Sequence, residues 1–339
     1  MGLNSGLQQE NKIGYFYANT RIRAMVPKLL TEADYEKLLK MDINEMLRFL
    51  EEGEYKKEID AVGIKAARIE QLEGVLNENF ANAINKIIKF APKDSPLHSY
   101  VMRYDISNIK TILRGKGTKQ KKENAWQKLV QTGTFDREFL KSLADAQTGE
   151  QVVENLKKTP YYRALKGAEK KGQEEVEDAL DKFYFKIMLK AAANSKKLLK
   201  LTKTEIDVRN ISTLLRLKRT KTQNIERFLI TGGNVSVKKL LEISRLDEFE
   251  IINSFKSSKL WEYTPTNTKE LDKIEAGLRK YILTYGWSLK KDYAPSANAL
   301  LGYVFGKERE IANIRILARS KTAKTPEDAL NIRSKLYTK

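Results

Sequence analysis

Polar and apolar positions alternate at helical spacing along almost the whole chain. In 69–87 the residues Ile69, Leu72, Leu76, Phe80, Ile84 and Ile87 stand three or four apart, which on a helix of 3.6 residues per turn makes one apolar stripe. The same reading predicts a helix over 14–30, with Ile22, Met25, Val26 and Leu29 on one side and a bend at Pro27. Thr31 before an acidic first turn then opens short helices joined at Met41 and Asp42, and a long helix over 65–90 is stopped by Pro92 and Pro96. A second round places short helices across 126–165, punctuated by Gly133 and Pro160, and a long helix over 176–192. A third runs through 240–265, turns at Pro265 and continues as a helix over 274–289 before Pro295.

One helix is written three times. DISNIKTILRGK at 105–116 returns as DVRNISTLLRLK at 207–218 and as EIANIRILARSK at 310–321, with Asn108, Asn210 and Asn313 in register at intervals of 102 and 103 residues. A weaker relative, FYANTRIRAM, places Asn19 a further 89 residues upstream. With Asn at 0° and about 100° per residue, the apolar offsets −2, +1, +4 and +5 fall at about 160°, 100°, 40° and 140°, one core-facing arc. The acid at −3 (Asp105, Asp207, Glu310) falls at about 60°, inside that arc, whereas the Arg at +6 (Arg114, Arg216, Arg319) falls nearly opposite, at about 240°. A carboxylate in an apolar seam requires a hydrogen-bonded or charged partner. Two sources are open: an Arg of a neighbouring copy, or free N–H groups at a helix start.

Glu70, Glu177 and Glu275 precede the apolar runs of the three long helices, 38, 33 and 38 residues before the next motif Asn. Two markers keeping one period of about 100 residues is the signature of a triplicated helical unit. The chain thus divides into repeats at 1–107, 108–209 and 210–339, the last with a C-terminal closing helix. The expectation is an all-α fold of three sequence-related helical bundles in tandem, joined head to tail and able to pack about a pseudo-threefold axis, although an open solenoid carries the same signature. In that reading Asp105, Asn108 and Arg114, with their counterparts Asp207, Asn210, Arg216 and Glu310, Asn313, Arg319, tie successive repeats together. One acid, one amide and one Arg contain no nucleophile–base pair.

Composition agrees with helices and narrows the chemistry. Only 7 prolines and 18 glycines interrupt 339 residues, of which 32% are charged and 41% hydrophobic. The chain has no cysteine, which excludes disulfides, zinc–thiolate sites and cysteine nucleophiles, and its single His98 lies between turn signals without a second His or a nearby nucleophile. No apolar run approaches the about 18 residues of a membrane span. The start MGLNSG has neither signal-peptide order nor, with Gly6, the myristoylation pattern. An intracellular soluble protein, bound at most to a membrane complex, is expected. The residues RGKGTK at 114–119 miss the phosphate-loop spacing, 230–241 reads as a turn before a helix capped by Asn234 or Ser236, and Trp126, Trp261 and Trp287 read as packing residues. No cofactor or metal site is expected.

Lys and Arg outnumber Asp and Glu by 63 to 44, a net charge of +19. The excess gathers at 110–122 and 196–221, on or beside the recurring helices. An acidic protein surface or a phosphate backbone would each be attracted there, and a solvated helix face on a basic protein explains the same pattern. Arg209, Arg216, Lys218, Arg219 and Lys221 are the candidates for an acidic partner.

The opening YFYANTRIRAMVPKLL, the recurrent NIxxLLR helices and the final EREIANIRILARSK resemble the C subunit of the archaeal and bacterial A-type (V-type) rotary ATPases, the relative of the d subunit of eukaryotic V-ATPases. The similarity covers the whole chain in length and repeat order. It implies an all-helical funnel of three similar domains and a non-catalytic, torque-passing component of the central stalk. This component would sit peripherally on the cytoplasmic face of the membrane, between the axle subunits of the catalytic head and the cytoplasmic loops of the proteolipid ring. It implies no nucleotide, cofactor or membrane span and argues against nucleic acid. A basic helical-repeat protein binding nucleic acid or serving as a scaffold is the alternative that the charge alone permits.

Overall fold

The computed structural model describes residues 2–63, 69–117, 126, 129–168, 172–222, 224–265, 268, 270–292, 295–322 and 329–338. Among them all regular structure is helical and no strand occurs, the all-α class that the spacing predicts. The helices are α1 (Gly2–Met25), α2 (Glu32–Lys40), α3 (Ile43–Glu51), α4 (Lys56–Val62), α5 (Ile69–Phe90), α6 (Pro96–Gly117), α7 (Arg137–Asp145), α8 (Gly149–Asn155), α9 (Tyr162–Leu165), α10 (Gln173–Ala192), α11 (Lys196–Thr220), α12 (Val237–Ser244), α13 (Glu248–Lys256), α14 (Leu271–Ser288), α15 (Ala297–Thr322) and α16 (Ala329–Lys335). Two short helices, a long one and a helix bearing the repeated motif follow one another as α2, α3, α5, α6, then α7, α8, α10, α11, then α12, α13, α14, α15.

Local chemistry sets many of these boundaries. Thr31, Asp42 and Asp247 each accept the N–H three residues on, while Asp34, Glu45 and Glu250 reach back to the capping residue's own N–H, closing capping boxes on α2, α3 and α13. Asp136 and Ser236 cap α7 and α12 with their side chains. Pro27 ends α1 rather than bending it: the helix stops at Met25 and a 3-10 turn, Val26–Lys28, carries the proline. The expected helix over 65–90 is present as Ile69–Phe90, and 64–68 lie outside the described residues.

The chain forms two compact units, Met1–Asn155 with Trp287–Lys339, and Leu156–Gly286. The first is built on α15, which packs against α1, α2, α5, α6 and the 3-10 turn Leu289–Lys291. All positions of 297–307 are buried, so this helix meets protein on every side. Gly302 and Gly306 permit that closeness. A Cβ at 302 would lie 2.3 Å from the Lys290 nitrogen, and one at 306 would lie 2.2 Å from the Trp287 ring. In the second unit α10 pairs with α11, and Ile211, Leu214 and Leu215 of α11 share a buried cluster with Leu240, Ile251, Phe255, Trp261, Ile274 and Leu278. The backbone of α14 touches the turn before it, since a Cβ on Gly277 would stand 2.7 Å from Thr264 Cα.

Gly306→Ala should force the Trp287 indole aside and lower stability by about 1–3 kcal/mol, the usual cost of overpacking. Gly115→Ala, whose Cβ meets nothing within 4 Å, should leave stability unchanged or raise it slightly. Thermal or urea unfolding of the two variants checks the contrast.

Candidate functional site

The three motif acids and their asparagines are buried: Asp105 and Asp207 are 0% and 2% exposed, and Glu310 is 2% exposed. On α6, Asp105 accepts the Thr134 N–H at 2.9 Å and 3.1 Å, the Thr134 hydroxyl at 2.6 Å and the Phe135 N–H at 3.4 Å. One turn later Asn108 makes a two-way bond with the backbone of a single residue. Its Nδ2 donates to the Val130 carbonyl at 2.7 Å and its Oδ1 accepts the Val130 N–H at 2.9 Å. On α11 the pattern returns in other residues. Asp207 accepts Val235 N–H at 3.0 Å, Asn234 N–H at 3.2 Å and Asn234 Nδ2 at 2.8 Å, while Asn210 holds both the carbonyl and the N–H of Ile230 at 2.8 Å.

The third acid fits the same frame through residues from the other end of the chain. Glu310 on α15 accepts the Leu30 N–H at 2.6 Å, and Asn313 accepts the Tyr337 N–H at 2.7 Å. Phe135, Val235 and Leu30 each stand immediately before a helix-capping residue, namely Asp136, Ser236 and Thr31. Each motif acid thus receives the N–H one residue ahead of an N-cap, at the positive end of a short helix. Of the two donor sources left open by the sequence, N–H groups serve all three acids. Glycine makes room in the first two cases: a Cβ on Gly133 or Gly233 would stand 2.1 Å or 2.3 Å from the Asp105 or Asp207 carboxylate.

The third joint adds a buried ion pair. Lys307 and Glu310 lie 2.6 Å apart at 3% and 2% side-chain exposure. The fully buried Tyr55 donates its hydroxyl to Glu310 at 2.6 Å and accepts from Lys307 at 3.1 Å, with the lysine 4.2 Å from its ring centroid. Burial, with the Glu310 charge added, pushes the Tyr55 phenol well above its ordinary range and so keeps it a donor. Sequence reasoning missed Lys307 and Tyr55. The wheel held a signal for the lysine, since offset −6 falls at about 120°, inside the apolar arc, and is occupied by Met102, Thr204 and Lys307, all buried.

The motif arginines point outward, as their wheel position predicts. Arg216 donates paired hydrogen bonds to Glu275 of α14 at 2.9 Å and 2.7 Å. Arg319 meets Glu73 of α5 at 3.0 Å, alongside Arg315 at 2.6 Å, so the acid used on that helix is Glu73 and not Glu70. Arg114 is exposed on the last turn of α6. Of the candidates for an acidic partner, Arg209 pairs with Asp181, Arg219 bonds Glu248 at 2.9 Å, and Lys218 donates to the Ser244 carbonyl at 3.3 Å. Lys221 ends α11 in the left-handed conformation, φ 53°. Four of these five cations are therefore already engaged within their own unit.

His98 lies 3.0 Å from the Pro92 carbonyl, a local backbone contact. Ser236 caps α12, and Asn234 instead binds Asp207. Trp261 is core, and Trp287 lies beneath Lys290 and Arg309. Residues 118–119 of RGKGTK lie outside the described residues. Among the described residues no cluster of three or more His, Asp or Glu could hold a metal ion, and no helix is long and apolar enough to cross a membrane.

Comparison with known proteins returns one family throughout. The sequence model of a family described as ATP synthase (C/AC39) subunit matches residues 18–333. The chain is 31% identical over 333 residues to the C subunit of the A-type ATP synthase of Methanosarcina acetivorans, covering 94% of this chain and 92% of that one. It is 30% identical to the protein of the same name from Methanococcoides burtonii, covering 95% and 94%. The counterpart from Archaeoglobus fulgidus is 29% identical, with 94% and 96% covered.

Asp207→Ala would leave the Asn234 and Val235 N–H groups without their acceptor, at about 1–3 kcal/mol for each donor, and denaturant unfolding should show the loss. Burial also holds the Asp207 carboxyl above its ordinary value of 3.8, against the lowering pull of its bonds from Val235 and Asn234. Between the unfolded value and this raised one the folded chain binds more protons than the unfolded chain, so the stability contributed by this group falls as pH rises through that window. The margin of the wild type over Asp207→Asn should therefore shrink from about pH 4 upward and become flat above the raised value. Unfolding curves of both proteins at several acidic pH values test the slope.

Proposed function

Because the chain belongs to the ATP synthase (C/AC39) subunit family, we propose that it is the non-catalytic central-stalk subunit of an A/V-type rotary ATPase. It couples the axle of the soluble head to the membrane proteolipid ring. Its partners are the axle subunits on one side and the cytoplasmic loops of the ring on the other, and it is held peripherally on the cytoplasmic face without nucleotide or cofactor.

The observation that carries this reading is the recurrence of one buried joint in each motif helix. A coupling element works by refusing to deform, and each joint fixes a long helix to the start of a short one through directed, desolvated hydrogen bonds. Such bonds specify one geometry more than they add net stability. Asp105, Asp207 and Glu310, with Arg319, act here as structural ties between sequence repeats of proposed boundaries 1–107, 108–209 and 210–339, whereas Asn108, Asn210, Asn313 and Arg216 hold partners inside their own repeats. Three such bundles about a pseudo-threefold axis would offer a ring a rounded surface. Arg209, Arg216, Lys218, Arg219 and Lys221 serve an acidic partner only to the extent that their internal ties can be exchanged, and Lys221 stands exposed at the end of its helix.

An affinity-tagged chain expressed in cells that contain the complex should bring down axle and ring subunits from detergent-solubilised membranes. Cells lacking the chain should retain ATP hydrolysis in the head but lose ATP-driven ion pumping into vesicles. Recovery of the chain without any ATPase subunit, or pumping unchanged in its absence, would overturn the proposal.

A further inference from the structure

A second feature of the Met1–Asn155 and Trp287–Lys339 unit is a cavity of about 800 Å³. It lies where the loop ahead of α2 and the loop ahead of α7 approach the outer side of α5, and Lys28, Leu29, Thr134 and Phe135 belong to its wall. Its floor is a polar stripe on α5. Asn79, Asn82, Lys86 and Lys89 follow one another at spacings of three and four, which places them within about 80° of arc, while Leu72, Val75, Leu76, Phe80, Ile84 and Ile87 of the same helix are buried.

Two properties of this cavity call for an occupant. Lys57, Lys86 and Lys89 are exposed at its wall with no hydrogen bond or ion pair among the described residues, whereas Arg209, Arg216 and Arg219 of α11 are each matched to an acid. Asn79 is 6% exposed and gives its Nδ2 to Glu58 at 2.9 Å and to the Glu54 carbonyl at 2.7 Å, yet its buried Oδ1 has no donor. The cavity therefore offers cations for carboxylates and one desolvated acceptor for an N–H. We propose that it docks an acidic peptide segment, a short run of Asp or Glu on a partner protein, with the carboxylates on Lys57, Lys86 and Lys89 and a backbone N–H directed to Asn79.

A nucleic-acid strand matches the lysines but not the rest. Phosphodiesters bring no donor for Asn79, whereas every residue of a peptide other than proline brings a backbone N–H. The charge complementarity makes the interaction salt-sensitive, since exposed charges are screened beyond about 8 Å at physiological ionic strength.

The test uses the purified full chain and a fluorescent octaglutamate peptide, followed by anisotropy at two salt concentrations. The triple variant K57E/K86E/K89E should bind at least tenfold more weakly. The control K141E/K158E/K238E, which makes the same change in net charge at exposed lysines elsewhere, should bind less than threefold more weakly. A photoreactive version of the peptide should label residues 79–89. Equal weakening by both triples, labelling elsewhere, or tighter lysine-dependent binding of an octathymidine strand would each overturn the proposal. Matching thermal unfolding of the variants keeps the comparison to folded protein. Because the readout is the isolated chain, a negative result removes the docking cavity and leaves the assembly proposal as it stands.

Discussion

A carboxylate that faces inward must be met by donors, and in this protein nearly everything else is arranged around meeting that requirement. The donor is in every case the N–H one residue ahead of an N-cap. That N–H lies outside its own helix and has no intrahelical acceptor, so it is available at no cost to the short helix it precedes. The acid gains the adjacent partial positive charge as well. The capping residue then satisfies the next free donor, so acid and cap together use N–H groups that helix geometry leaves idle. This explains why the same joint tolerates Thr134, Asn234 or Tyr55 as its auxiliary donor.

Most of this is legible in the sequence. The wheel position of Asp105, Asp207 and Glu310 inside the apolar arc, and of the arginines opposite it, follows from helical periodicity and requires no knowledge of the partner. Helix order and several ends are legible too, through Thr31, Asp42, Pro92 and Pro96. The partners are not. Glu310 meets Leu30 and Tyr55 across separations of 280 and 255 residues, and nothing local in either segment points to the other. Gly133 and Gly233 read as turn punctuation, and their actual work is to leave room for a carboxylate. The engagement of Arg216 and Arg219 by Glu275 and Glu248 is equally hidden, because an exposed basic helix looks the same in sequence whether or not it is already paired.

The third joint departs from the other two in a way that bears on specificity. Three similar helices face three similar loops, so a wrong pairing would satisfy many of the same bonds. A Glu in place of Asp, with Lys307 beside it and Tyr55 opposite, fits one loop only. Removing a charge from water is costly, and a buried pair often adds little net stability. Lys307 and Glu310 are better understood as choosing among near-equivalent folds.

The dependence of α2 on Glu310 also has an order in time. A ribosome releases residues 1–155 long before residue 310 exists, so the N-terminal segment emerges without the acid that its loop requires and without the buried helix that its core surrounds. Domains generally fold as units, the N-terminal one first. Here residues 1–155 cannot complete their core until α15 has been made. A chain that stops short of α15 therefore lacks the centre of its first unit and not a dispensable extension.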